Sequence, residues 1–123
     1  MLYSDVIRER WRRPRFRGRL ERPDVAFEDV NPLCGDRIRI EGRVADGRLA
    51  EARFSGDACA IAVASADLLV EMAAGQTLSS ARALDARHVL ARLGGEVRPS
   101  RMRCVTLPLS VLQGALAERE AAR

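Results

Sequence analysis

Three cysteines and one aspartate carry the reactive chemistry of this 123-residue chain. Cys34 and Asp36 flank Gly35 in the stretch NPLCGDRIRI, Cys59 opens an alanine-rich apolar run, and Cys104 precedes a leucine-rich final segment. Each position reads as the end of a secondary-structure element, where side chains from distant segments can converge. In an extended backbone Cys34 and Asp36 project to the same side with Cα atoms about 6.6 Å apart, near enough to share one ion. Gly35 between them permits close approach or an unusual backbone angle. Three thiolates and a carboxylate make a complete tetrahedral ligand set for zinc or iron, with the hard oxygen of Asp36 the weakest ligand among soft sulfurs. A weak ligand lets such a site open and release what it holds. The competing reading is that free cysteines serve as small buried hydrophobes. No C-x-x-C pair is present, so spacing alone does not define a zinc-finger pattern.

The elements that must position these residues follow from periodicity. Residues 4 to 13 read as a helix with Ser4 as N-cap and Pro14 as its stop, followed by an arginine-rich arm to about Arg22. Residues 24 to 30 form a short first strand. DRIRIEGRV alternates Ile38, Ile40 and Val44 with charged residues, the period of a half-buried strand. Asp46-Gly47 turns the chain and LAEARF returns antiparallel. From Cys59 the run CAIAVASADLLVEMAAG is apolar on most faces and ends at Gly75, as a buried central helix does. Asp57 and Ser55 are its candidate caps, which puts Cys59 in the first turn. One or two short helices fill 78 to 93, and a last helix runs from near Val105 to Glu118 with Pro108 in its first turn. Strands first and helices afterwards predict an α+β fold: a small antiparallel sheet of about three strands with helices packed on it, formed by residues 1–123 as one domain.

Composition narrows the functional classes. Aromatic residues make up 4% of the chain, so the core is built from Ala, Val, Ile and Leu. No window approaches the roughly 20 apolar residues of a membrane span. The start MLYSDVIRERWRR does not read as a secretory signal, so a cytoplasmic location is expected. There, an odd number of cysteines argues for reduced thiols rather than a disulfide framework. All 21 basic residues are arginine, which removes mechanisms that depend on a lysine amine.

The residues then reach a resemblance. Cys-Gly-Asp before a strand, a second G-x-x-C leading into a small-residue helix (GDACAIAVASADLL) and a third cysteine in RMRCVTLPLSVLQGAL resemble the U-type iron–sulfur scaffold proteins. That family includes the IscU-like and SufU-like proteins and the N-terminal domain of NifU. The opening YSDVIRERWRRPRFRG resembles the family's tyrosine-serine helix, so the likeness covers nearly the whole chain. It implies a fold of about three antiparallel strands with packed helices. It implies a non-enzymatic scaffold or sulfur acceptor that binds zinc, iron or a [2Fe–2S] cluster through Cys34, Asp36, Cys59 and Cys104. It also implies that Cys104 accepts persulfide sulfur from a cysteine desulfurase, with recipient apoproteins as further partners. IscU-like members carry a histidine before the last cysteine and a Leu-Pro-Pro-Val-Lys motif upstream, where this chain has Arg103 and VRPSRM. CGDRI and the basic Arg103 are similar to the SufU-like branch, although the insertion usual there before the third cysteine is missing. Arg37, Arg101 and Arg103 are placed to offset the negative charge of such a site, and a helix N-terminus at Cys59 would favour its thiolate, the form that attacks a persulfide.

Two other features invite different functions. His88, the one histidine, lies in DARHVLARLGG without a paired nucleophile and reads as an ordinary helix residue. The stretch RERWRRPRFRGR holds seven arginines between positions 8 and 19, with Trp11 and Phe16 interleaved. That pattern suits a phosphate backbone with stacking aromatics, and a basic nucleic-acid-binding module is therefore the alternative function. Charge alone does not specify a ligand. No nucleic-acid module surrounds the run, so a solvated or partner-docking surface is expected instead.

Overall fold

A computed structural model describes residues 3–121 of the chain. Helix α1 (Asp5–Arg12) is capped by Ser4, whose hydroxyl accepts from the Ile7 amide at 3.1 Å and donates to the Leu93 carbonyl at 2.6 Å. Strands β1 (Val25–Val30), β2 (Arg37–Ala45) and β3 (Arg48–Ser55) follow, then α2 (Ala60–Ala73), α3 (Leu78–Arg82), α4 (Ala86–Leu93), a 3-10 turn (Pro99–Arg101) and α5 (Met102–Ala121). The strands form one antiparallel sheet in the order β1-β2-β3. This is the α+β fold expected from the sequence. Among the described residues no helix is long and apolar enough to cross a membrane.

Alternation in β2 and β3 puts Ile38, Ile40, Ala52 and Phe54 on one face, and all four are buried. α2 and α5 pack with the sheet. Every residue of α2 from Ala60 to Val70 is buried, because its many alanines let neighbouring backbones approach from all sides. Burial of large members such as Ile61, Leu68 and Leu69 contributes about 1.5–3 kcal/mol each. Gly114 of α5 makes room for the Phe27 ring of β1: a Cβ there would lie 2.8 Å from it.

The arginine-rich arm is tied to this body. Arg10, itself buried, pairs with Asp67 at 2.9 Å and Glu71 at 3.0 Å. The other Asp67 oxygen accepts from the Phe16 amide at 2.7 Å. Phe16 and Gly18 then bond the backbone of Phe54, closing part of the free edge of β3. Buried Glu41 accepts from the Leu20 amide, Arg19 and Arg39. Burial opposes ionisation of Glu41, but these donors outweigh it and hold the carboxyl below its usual range. Arg8, Arg10, Arg15, Arg17 and Arg19, five of the seven arginines, thus hold intramolecular partners. Arg10 anchors the run to the body, whereas Arg12, Arg13, Arg15, Arg17 and Arg19 stay exposed to solvent.

Three local expectations change. Neither Asp57 nor Ser55 caps α2; Cys59 is its N-cap, and Sγ accepts from the Ala62 amide at 3.5 Å. α5 begins three residues earlier than Val105, so Cys104 lies in its first turn and Pro108 well inside the helix. Proline has no N–H, so the Cys104 carbonyl lacks the donor an ordinary residue at 108 would supply. Cys34 lies in a turn rather than an extended segment, since the Asn31 carbonyl accepts from both the Cys34 and Gly35 amides.

Candidate metal centre

The turn at 31–36 sets the first wall of the site. Asn31 closes it: its side-chain oxygen accepts from Leu33, and its amide donates to the Asp36 carbonyl at 2.8 Å. Gly35 completes it at φ +80°, a conformation that favours glycine. The chain then enters β2 with Asp36 buried. The second wall is the β3–α2 connection. Gly56 has φ +128° and passes so close to β2 that a Cβ would lie 2.1 Å from the Arg37 carbonyl oxygen. The Arg37 amide donates to the Asp57 backbone carbonyl at 2.8 Å, and the Cys59 amide donates to Asp36 Oδ1 at 3.0 Å. Asp36 therefore binds the start of α2 to the start of β2. The first turn of α5 supplies the third wall and Cys104, which is buried.

Asp36, Cys59 and Cys104 offer ligand atoms that all lie within 4.8 Å of one another. The two sulfurs are 3.3 Å apart, and Cys104 Sγ is 3.7 Å from Asp36 Oδ2. Tetrahedral zinc, with bonds of roughly 2.3 Å to sulfur and 2.0–2.2 Å to oxygen, needs ligand separations of about 3.4–3.8 Å. The donor set fits such an ion with small movements. Cys34 lies on the exposed rim, outside this tight group, and lines with the other three residues a cavity of about 610 Å³.

Charge around the site is uneven. Arg101 lines the same cavity as Cys59 and Cys104, and interaction with these sulfurs, Cys59 first, raises its already high pKa. Arg103 lines the cavity from an exposed position, whereas Arg37 is drawn away to Glu28 and Asp57. Of the three arginines expected to offset the site's charge, Arg101 reaches the sulfurs. Burial pushes the Cys104 thiol up to about 12, the adjacent Cys59 adds to the shift, and Arg101 opposes it. A thiol reacts through its thiolate fraction, which falls about tenfold for each pH unit below its pKa. In metal-free protein at pH 8, iodoacetamide should therefore label Cys34 first and Cys104 last, with Cys104 labelling rising about tenfold per pH unit above that. Peptide mass spectrometry at timed quench points reads the order; equal rates at Cys34 and Cys104 would contradict it.

His88 accepts from the Asp85 amide through Nδ1 at 3.0 Å while Asp85 accepts from the Arg87 and His88 amides. It completes a capping box at the start of α4. The tie between Asp36 and the Cys59 amide had no local sequence signal, because its partners stand 23 positions apart.

A small sheet backed by helices, with two thiols and a carboxylate at the meeting point of their ends, defines an α+β domain with a donor set suited to a metal ion. Residues 2–123 match the family model described as NifU-like N terminal domain. The chain is 32% identical over 117 residues to "Iron-sulfur cluster assembly scaffold protein IscU 1" of Archaeoglobus fulgidus, covering 95% of this chain and 76% of that protein. It is 27% identical over 136 residues to "Zinc-dependent sulfurtransferase SufU" of Bacillus subtilis, covering 97% and 92%. In fold it is similar to the crystal structure of a putative iron–sulfur cluster assembly scaffold protein for the SUF system from Fervidobacterium islandicum AW-1. That likeness has a TM-score of 0.81 at 24% identity, over 93% of this chain and 96% of that one. The chain belongs to the NifU-like N-terminal domain family.

Proposed function

We propose that this chain is an iron–sulfur cluster assembly scaffold or sulfur acceptor, acting in the cytoplasm as a carrier rather than as an enzyme. It receives persulfide sulfur from a cysteine desulfurase and passes sulfur or cluster to recipient apoproteins. The observation that carries this reading is the convergence of Asp36, Cys59 and Cys104 within 4.8 Å, from three separate elements. Cys34 joins them as fourth ligand by a movement of its rim turn. Zinc, when bound by these residues, supplies the positive charge that keeps thiols ionised at neutral pH.

The acceptor is Cys104. Its thiolate attacks the outer sulfur of the desulfurase persulfide, the desulfurase S–S bond breaks, and the desulfurase cysteine leaves as thiolate. Arg101 places a permanent positive charge beside the attacking sulfur, and Cys34, exposed on the rim, is the sulfur an approaching partner meets first. Support for the alternative, a nucleic-acid module, weakens because most arginines of the arm are engaged in internal contacts.

Two measurements test the proposal. Anaerobically purified protein should contain about one zinc, or iron with sulfide and a visible absorption band; neither, under reducing conditions, would count against the site. In a persulfide-transfer assay with a cysteine desulfurase, Cys104→Ser should lose nearly all the sulfur taken up, counted as bound sulfane sulfur plus released sulfide. Equal loading of Cys104→Ser and wild type would move the acceptor elsewhere, and a loss confined to Cys34→Ser would assign it to the rim.

A further inference from the structure

Cys59 and Cys104 carry a chemistry beyond binding. Their sulfurs lie 3.3 Å apart, inside the near-attack separation of about 3–3.5 Å. A persulfide on Cys104 is a disulfide whose inner sulfur is Cys104 Sγ, and thiol–disulfide exchange proceeds by attack of one sulfur on another. Resting on the reading of Cys104 as acceptor, we infer that Cys59 discharges the Cys104 persulfide as sulfide by forming a Cys59–Cys104 disulfide.

The step balances without an added reductant. The bond formed joins Cys59 Sγ to Cys104 Sγ, and the bond broken joins Cys104 Sγ to the outer sulfur. The outer sulfur leaves with the electron pair, reduced from the sulfane to the sulfide level, while the two cysteines are oxidised to the disulfide. The Cys59 proton and the persulfide proton both depart on hydrogen sulfide. A dithiol reductant then restores the pair for another round.

The surroundings suit this step. The cavity of about 610 Å³ has room for an extra sulfur on Cys104. Arg101, which lines the cavity with both cysteines, offers its charge to the departing hydrosulfide. Cys34 stands outside the close group and exposed, so Cys59 is the thiol placed to resolve the persulfide. Iron–sulfur clusters contain sulfide, and the domain itself would thus supply two electrons for each sulfane sulfur it accepts.

The test uses the protein as purified, with its metal, loaded with inorganic polysulfide, desalted and incubated anaerobically. Released sulfide is trapped with a bimane reagent, and non-reducing peptide mass spectrometry maps the cysteines. Wild type should release about one sulfide per Cys59–Cys104 disulfide formed. Cys59→Ser should keep its persulfide on Cys104 and release sulfide at least about tenfold more slowly. A stable persulfide on wild-type Cys104, or one that migrates to Cys59 without sulfide release, would overturn the inference while leaving Cys104 as acceptor. Failure of Cys104 to take up any sulfur would overturn both. Because the disulfide is mapped in wild type, the result does not depend on how well Cys59→Ser folds.

Discussion

Gly56→Ala is expected to destabilise the fold by about 2–5 kcal/mol and to weaken zinc binding at least about tenfold. Gly56 has φ +128°, and a Cβ there would sit 2.1 Å from the Arg37 carbonyl oxygen and 2.9 Å from its carbon. Both are backbone atoms inside β2, so relief requires the strand and the β3–α2 connection to separate. That connection leads within three residues to Cys59, and the strand begins next to Asp36. The separation therefore pulls apart the Asp36–Cys59 tie. Urea unfolding gives the first number and competition with a chromophoric chelator the second. Gly47→Ala is the control: φ is +71°, no atom lies within 4 Å of the added Cβ, and the site is remote. It should cost about 1–2 kcal/mol and leave zinc affinity unchanged. Equal effects of the two substitutions on zinc would refute the role given to the Gly56 contact.

The second large effect is expected at Arg10→Ala, with a loss of about 3–5 kcal/mol. The cost comes from what remains: Asp67, at 0% exposure, keeps its Phe16 hydrogen bond but loses its cation. Glu71 loses the Arg10 hydrogen bond that, against an opposing effect of burial, does most to hold its carboxyl below the usual range. Adding Asp67→Asn to Arg10→Ala should recover part of the loss, since a neutral amide oxygen still accepts from the Phe16 amide. Such a loss is a large share of the roughly 5–15 kcal/mol that stabilises a domain. A change below about 1 kcal/mol in urea unfolding would place this ion pair with ordinary exposed ones.

Much of this was legible from periodicity and punctuation. The alternation of Ile38, Ile40 and Val44, the Asp46-Gly47 turn and the apolar run after Cys59 specify strand, hairpin and buried helix because each pattern has one period and one stop. Ser4 marks a helix start by its side-chain chemistry, and it serves there. The site was legible in residue type but not in geometry. Cys34 and Asp36 are neighbours in sequence, yet a hydrogen-bonded turn around Asn31 separates their directions and leaves Cys34 on the rim. The cap of α2 was misassigned because cysteine is an uncommon N-cap and more familiar candidates stood nearby. Which arginine reaches the sulfurs depends on where Glu28 and Asp57 fall in space, and that claims Arg37 and leaves Arg101. The buried partners of Arg10, 57 and 61 positions away, are tertiary facts with no local trace.

Pro108 bears on how Cys104 can serve ligands of different size. Shifting Cys104 by a fraction of an ångström breaks no ladder bond to residue 108, since none exists there. The first turn of α5 follows directly on the 3-10 turn at Pro99–Arg101, so compliance is concentrated in the stretch that bears Cys104 and Arg101. Asp36 and Cys59, tied to each other through the Cys59 amide, form the stiff jaw of the site. Cys104 is the compliant one, able to give way to an added sulfur while the opposite side keeps its shape.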